Sequence, residues 1–331
     1  VSRWLLLLAC LLAAPAARAE VSEITFVRQY GVAYTPLLIM EADRLIEKHA
    51  EALGLAGFKV NWAFLTSGAA ANDGLLSGRL AFGIGAPPAM LLLWDKTRGT
   101  PNAIKGVIGV AVMPTVLNTR DPKITSIRDF TDHDRIAVPA VKLSNHAIAL
   151  QMAAARAFGA ENYARLDTLT VAVPHPDAAA QLMGRAAGEI TSHFTSPPFD
   201  VFELKSPSVH TVLNSFDVMG DTSLTLVWTT ERFAAANPMV VQAVYDAVQE
   251  AVATINRDKA AAADRYLALS GDKIARADLM AVFDNPRIQF NAAPQGVMTF
   301  ASFMKQVGTL RAAPKDWKDL FFPAAQTLPG G

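Results

Sequence analysis

Apolar positions recur along the chain at two periods that take turns. Ile24-Thr25-Phe26-Val27 is a short β-branched run ending at Gln29-Tyr30-Gly31, the mark of a buried strand. Tyr34-Thr35-Pro36 then opens a helix, with Thr35 expected as its N-cap and Pro36 at its first position. Leu37, Leu38, Met40, Ala42, Leu45 and Ile46 supply its apolar face. Next come a strand over residues 59–65, a short helix capped by Ser67 and stopped by Gly78, and a strand over 80–84. A helix from Pro87-Pro88 through Trp94 completes the set. Strand and helix in regular alternation predict an α/β fold with a mainly parallel sheet.

The alternation then starts again. Residues 108–113 are apolar and β-branched, followed by Val116 and Leu117, and residues 124–130 read as a surface helix turn. A strand is expected over 135–139, and Leu143-Ser144-Asn145-His146 leads into a helix over 147–158. A strand over 169–173 ends at Pro174-His175-Pro176-Asp177, ahead of a helix over 178–185 and a strand over 189–194. A third part starts near Thr222 with a strand over 224–228, and Thr229 or Thr230 caps the segment after it. Asn237-Pro238 opens a long amphipathic helix carrying Val240, Val241, Val244, Val248, Val252 and Ile255 near helical spacing. The rest is helical and irregular, with Trp317, Phe321 and Phe322 docking the tail. With too few strands for a sheet of its own, this part folds back onto the first.

Composition narrows the class. Half of the 331 residues are apolar, and 30 basic side chains balance 30 acidic ones; disorder and general nucleic-acid affinity are both disfavoured. Residues 1–19 place one Arg before an apolar run and end in Ala17-Arg18-Ala19, the order of a secretory signal peptide. No later segment reads as a membrane span, so the mature protein is expected to be exported to the periplasm. The single cysteine, Cys10, lies in that leader. Leu7-Leu8-Ala9-Cys10 leaves lipid anchoring as an alternative to cleavage after Ala19. Without further cysteine, the mature chain has no disulfide or thiol chemistry.

The small-residue stretch LTSGAAANDGLLSGRLAFGIGAPPA, residues 65–89, raises the question of a phosphate loop. It lacks both Gly-x-x-x-x-Gly-Lys-Ser/Thr and Gly-x-Gly-x-x-Gly in the required place, and its glycines run into Ala-Pro-Pro. A hydrolase elbow, Gly-x-Ser-x-Gly, is also absent. No catalytic residue, cofactor or metal is therefore expected. Of the six histidines, none forms a His-x-x-x-His pair. His49 and His133 sit in charged surface segments, whereas His146, His175 and His193 stand at or just after expected strand ends, where open α/β sheets hold ligands. At those ends Ser67-Gly68 and Ser144-Asn145 read as helix caps, either plain or with free amides aimed at an anion.

The run VNWAFLTSGAAANDGLLSGRLAFGIGAPPAMLL, residues 60–92, resembles the nitrate, sulfonate and taurine group of periplasmic substrate-binding proteins, the NitT/TauT or NMT1/THI5-like family. Four further stretches continue the likeness in order: KITSIRDF with RIAVP, LSNHAIALQMAAARAFG, VPHPDAAAQLMGRAAGEI and WTTERFAAANPMVVQAV. Two positions depart from the family pattern, Ala81 and Glu189, where an Asp is common.

The resemblance implies a type II fold of two α/β lobes, each a mainly parallel sheet flanked by helices, joined by two crossing strands near residues 110–117 and 216–224. One lobe would comprise residues 20–112 and 222–331, the other 113–221. It implies a monomer that gives a small anion to an ABC permease driven by a cytoplasmic ATPase, with no part for nucleic acid. Expected at the cleft are Gln29, Tyr30, Tyr34, Ser67, Gly68, Ala86 and Pro87 from the first lobe. The second would add Ser144, Asn145, His146, His175, His193, Phe194 and Thr195. Tyr30, Tyr34 and Phe194 suit an apolar or aromatic body, while no arginine is placed as counterion; Arg28 could equally face the lobe surface. A sulfonate, nitrate or an aliphatic or aromatic carboxylate is the expected ligand. Relatives that bind thiamine-precursor pyrimidines, sensors, and enzymes of pyrimidine or menaquinone-precursor biosynthesis on the same fold remain as alternatives.

Overall fold

Short runs of β-branched and aromatic residues form the strands, and helices with one apolar face cover them. The computed structural model describes residues 19–331. The expected leader, apart from Ala19, and Cys10 lie outside the described residues. Strands β1 (Glu23–Arg28) and β2 (Lys59–Phe64) pair in parallel, with α1 (Thr35–Ala42) and α2 (Leu45–Ala52) between them in the chain. Then follow α3 (Gly68–Leu76), β3 (Gly83–Gly85), α4 (Pro87–Thr97) and β4 (Ile104–Val112).

The chain next builds another sheet from β5 (Val116–Thr119), β6 (Ile136–Val138), α5 (Asn145–Phe158), β7 (Thr170–Ala172), α6 (His175–Leu182) and β8 (Ser192–Thr195). A short α7 (Phe199–Glu203), β9 (His210–Asn214) and α8 (Ser215–Met219) end this part. Strand β10 (Ser223–Thr230) returns to β3 and β4. After it come α9 (Glu231–Ala236), α10 (Pro238–Arg257), α11 (Lys259–Ser270), α12 (Arg276–Asp284), β11 (Gln289–Phe290) and α13 (Val297–Gln306).

Strand order is β11-β4-β10-β3 in one sheet and β7-β6-β8-β5-β9 in the other. Strand β10 is antiparallel to both β3 and β4, so those two run the same way. Likewise β6, β7, β8 and β9 share one direction, and β5 alone runs against β8 and β9. The mainly parallel expectation thus holds for β1 with β2 and for the five-stranded sheet, where only β5 is reversed; in the four-stranded sheet both β10 and β11 run against β4. Strand β5 follows β4 directly and β10 follows β9 after only the short α8, and each runs against the strands it joins.

Local details differ from expectation for physical reasons. Thr35 is not the N-cap; it begins α1, and its hydroxyl donates back to the Val32 carbonyl at 2.6 Å, closing the turn before the helix. Residues 124–130 form turns instead of a helix, because the Asp129 carboxylate accepts from the amides of Thr125 and Ser126 and competes with helical bonding. Strand β3 is Gly83–Gly85, so only residues 83 and 84 of the expected 80–84 are strand. Strand β9 was not anticipated, and α8 occupies much of the connection expected near residues 216–224. The caps at Ser67, Ser144 and Thr230 form as expected, accepting from Ala70, Ala147 and Phe233. Helix α10 buries Val240, Val244, Val248, Val252 and Ile255 against α1, α2 and the first sheet.

Candidate functional site

Six strands end at one cavity. Gln29 and Tyr30 follow β1, Thr66 and Ser67 follow β2, and Ala86 follows β3. From the other sheet, Pro139 follows β6, His175 begins the helix after β7, and Ser196 follows β8. This is the carboxyl edge at which open α/β sheets bind ligands. The cavity has a volume of about 70 Å³. It is small because the two halves touch around it. The Val32 amide donates to the Pro197 carbonyl at 3.0 Å, and the rings of Tyr30 and Phe199 meet edge to face at 6.3 Å.

Helices α3, α5 and α6 begin at the cavity wall, so their positive ends converge there. Helix α4 also begins at the wall, but Pro87 and Pro88 leave its first positions without amide hydrogens. Hydroxyls come from Tyr30, Tyr34, Ser67, Ser144 and Ser196, and Gln29 is steadied by donating to the Ile84 carbonyl at 3.1 Å. Among the described residues, neither a carboxylate nor a lysine or arginine lines the cavity.

Among the described residues, two lining side chains are buried without a hydrogen-bond partner. Asn145 is 2% exposed, and neither its amide nitrogen nor its oxygen is bonded; His146 is 5% exposed, and neither ring nitrogen is bonded. Orphaned buried polar groups cost about 1–3 kcal/mol each, which makes these two side chains candidates for contact with whatever occupies the cavity. Burial pushes His146 well below the usual imidazole range, and the neighbouring His175 and His193 add to the effect. Its ring meets those of His175 and Phe194 edge to face, at 5.0 and 5.7 Å.

Behind the wall runs a buried polar chain. His175 Nδ1 lies 2.8 Å from His193 Nε2, and His193 Nδ1 lies 2.5 Å from Glu203 Oε1. Asn118 Nδ2 donates to Glu203 Oε2 at 2.9 Å, and Thr211 donates to Asn118 Oδ1 at 2.7 Å. Phe199 stacks on the His175 ring with centroids 5.4 Å apart. Burial pushes Glu203 up to about 8 and His193 down to about 3, so both favour their neutral forms.

The structure brings Gln29, Tyr30, Tyr34, Ser67, Gly68, Ala86, Ser144, Asn145, His146 and His175 together at the cavity. Pro87, His193, Phe194 and Thr195 do not line it. Pro87 is buried in the first turn of α4, and the other three are fully buried in β8. Arg28 pairs with Glu41 at 2.8 Å and lies over the Phe64 ring. His49 pairs with Glu250, and His210 bonds the Ile124 carbonyl. Sequence reasoning missed Thr66, Ser196 and Glu203. Ser196 follows the expected strand by two residues and was within reach; Glu203, in an ordinary polar-apolar run, carried no signal. Among the described residues, no group of acidic and histidine side chains suits a metal ion.

The model of the NMT1-like family matches residues 18–269. No curated protein matches the sequence. Among solved structures, the alkanesulfonate-binding protein SsuA from Xanthomonas axonopodis pv. citri, bound to MOPS, superposes with a TM-score of 0.69 at 18% identity, covering 90% of this chain and 96% of that one. The periplasmic nitrate-binding protein NrtA from Synechocystis PCC 6803 gives 0.71 at 16% identity, with 94% and 90% covered. The periplasmic aliphatic sulphonate binding protein SsuA from Escherichia coli gives 0.64 at 15%, with 93% and 100% covered. The fold is that of the periplasmic binding proteins.

Proposed function

Since the chain belongs to the NMT1-like family, we propose that it is the extracytoplasmic solute-binding component of an ABC importer. In this reading the cavity captures a small anion, such as nitrate, a sulfonate or a carboxylate, and the loaded protein delivers it to a permease. Residues 20–112 with 222–331 act as one lobe and residues 113–221 as the other, closing on the ligand because it touches both. No chemical step is assigned to the site.

The observation that carries the reading is the pair Asn145 and His146, buried and unpartnered at the positive end of α5. Two more helix starts and several hydroxyls surround them, and among the described residues no carboxylate lines the cavity to repel an anion. The absence of a lysine or arginine from the lining described matters less, because amides and hydroxyls aimed into a partly enclosed cavity hold an anion without a counterion. The alkanesulfonate- and nitrate-binding proteins that share the fold are named for ligands of this chemistry.

A thermal-shift screen of nitrate, alkanesulfonates, carboxylates and neutral aminopyrimidines tests it. An anion at about 100 times its dissociation constant stabilises the protein by ~2.7 kcal/mol. Replacing Ser144 and His146 together by alanine removes most of that shift while the protein still melts cooperatively. A shift produced by an aminopyrimidine and by no anion would overturn the anion reading.

A further inference from the structure

The polar chain behind the cavity has a direction, and one proton sets it. A neutral imidazole that accepts a hydrogen bond at one nitrogen donates from the other. When Glu203 is protonated, it donates to His193 Nδ1; His193 Nε2–H then donates to His175 Nδ1, and His175 keeps its proton on Nε2. When Glu203 is ionised, every bond reverses. His193 Nδ1–H donates to the carboxylate, His175 Nδ1–H donates to His193 Nε2, and His175 Nε2 bears a lone pair. The proton lost goes to solvent, and each histidine retains one. His175 lines the cavity, and its Nε2 has no protein partner among the described residues.

We propose that Glu203, acting through His193, fixes His175 as a hydrogen-bond donor toward the cavity and thereby selects anionic over hydrogen-bond-donating ligands. Glu203 and His193 are positioning residues, and the inference rests on the anion reading above.

The surroundings agree with the donor state near neutrality. Glu203 faces His193 from β8, Asn118 from β5 and Asp200 from its own helix. Burial is the main reason its carboxyl is pushed up, and the Asn118 bond works the other way. Asp200 is itself pushed up to about 7, first by burial and also by Glu203; once ionised, it opposes ionisation of Glu203 in turn. His175 faces His146 from α5 and His193, and burial holds both of these neutral. No lysine or arginine contributes to these shifts.

Glutamine at position 203 imitates the protonated acid permanently, since its Oε1 accepts from Asn118 while its Nε2–H donates to His193. The test is calorimetric titration of wild type and Glu203→Gln with nitrate and with ethanesulfonate, both ionised throughout, from pH 6.5 to 9.5. In the wild type the dissociation constant is flat below about pH 8 and rises about tenfold per unit above it. In Glu203→Gln it keeps the wild-type low-pH value across the range. The same alkaline rise in both proteins, a flat wild-type profile, or weakened binding by folded Glu203→Gln at pH 7 would overturn the proposal and leave the anion reading standing. Binding of an aminopyrimidine with no anion bound at any pH removes the anion reading and this inference together. Nitrogen-15 shifts of the wild-type His175 ring give a readout independent of any variant. They report the Nε2–H tautomer at pH 7 and the Nδ1–H tautomer above pH 9; the Nδ1–H form at pH 7 would also overturn the proposal.

Discussion

The backbone amide of Val32 donates to the carbonyl of Pro197 at 3.0 Å, joining the loop after β1 to the loop after β8 across the cavity. The chain reaches that position through Gly31, whose φ of +102° is costly for any residue with a side chain. A Cβ at Gly31 would also stand 2.9 Å from the Pro197 oxygen. Gly31→Ala is therefore expected to push the two halves apart while each stays folded. Small-angle scattering should show a larger radius of gyration in the ligand-free variant, and anion affinity should fall. Wild-type scattering together with wild-type affinity would contradict a closing role for this contact.

Gly83 answers to packing, not to ligand. Its missing side chain is replaced by the indole of fully buried Trp228, and a Cβ there would come within 2.1 Å of the ring nitrogen. That nitrogen donates to Asn72 Oδ1 at 3.1 Å, and Asn72 Nδ2 donates to the Ala89 carbonyl at 2.8 Å, tying β10, α3 and α4 together. Gly83→Ala displaces the ring and loses this bond, with an expected cost of about 1–3 kcal/mol. Chemical denaturation should show a lower midpoint with an unchanged slope.

His146→Phe separates binding from stability. The ring keeps its edge-to-face neighbours His175 and Phe194, while two buried unpartnered nitrogens disappear. The ligand-free variant should melt higher than wild type, by the release of roughly 1–3 kcal/mol of unsatisfied burial, and should lose most anion binding. A variant that binds as well as wild type would move the ligand away from α5.

The pH dependence of folding follows from the same buried groups. Glu203 is raised from 4.5 to about 8, so between those values the folded state holds a proton that the unfolded state has released. Its contribution to stability is therefore lost as pH rises from 4.5 through 8. His193 is depressed from 6.5 to about 3, so its contribution is present above 6.5 and is lost as pH falls toward 3. The melting temperature of wild type should thus decline on both sides of mildly acidic pH. Glu203→Gln should remove Glu203's share of the alkaline decline and leave that of Asp200, which is raised to about 7, so its advantage over wild type grows from pH 5 to pH 8. An advantage independent of pH would mean that Glu203 is ionised in the folded protein.

Sequence periodicity was enough for most of the order of strands and helices, though not for β9 or the turns over 124–130, because burial of one face forces a period that local residues carry. Caps at Ser67, Ser144 and Thr230 were legible for the same reason: the side chain bonds an amide three residues on. So was the gathering of His146 and His175 with Ser67, Ser144 and Asn145, since strand ends in a parallel arrangement meet at one edge. What the stretch around Gly83 does was not legible, because its partner Trp228 lies far away in the chain and reaches it only once β10 returns beside β3. Nor could sequence tell which of His175 and His193 faces the cavity and which lies behind it. That was decided by the burial of β8 and by Glu203, held against β5 through Asn118. Local pattern determined where ligand-facing groups begin; only tertiary contact decided which are left unpartnered, because an unpaired polar atom is a property of everything around it.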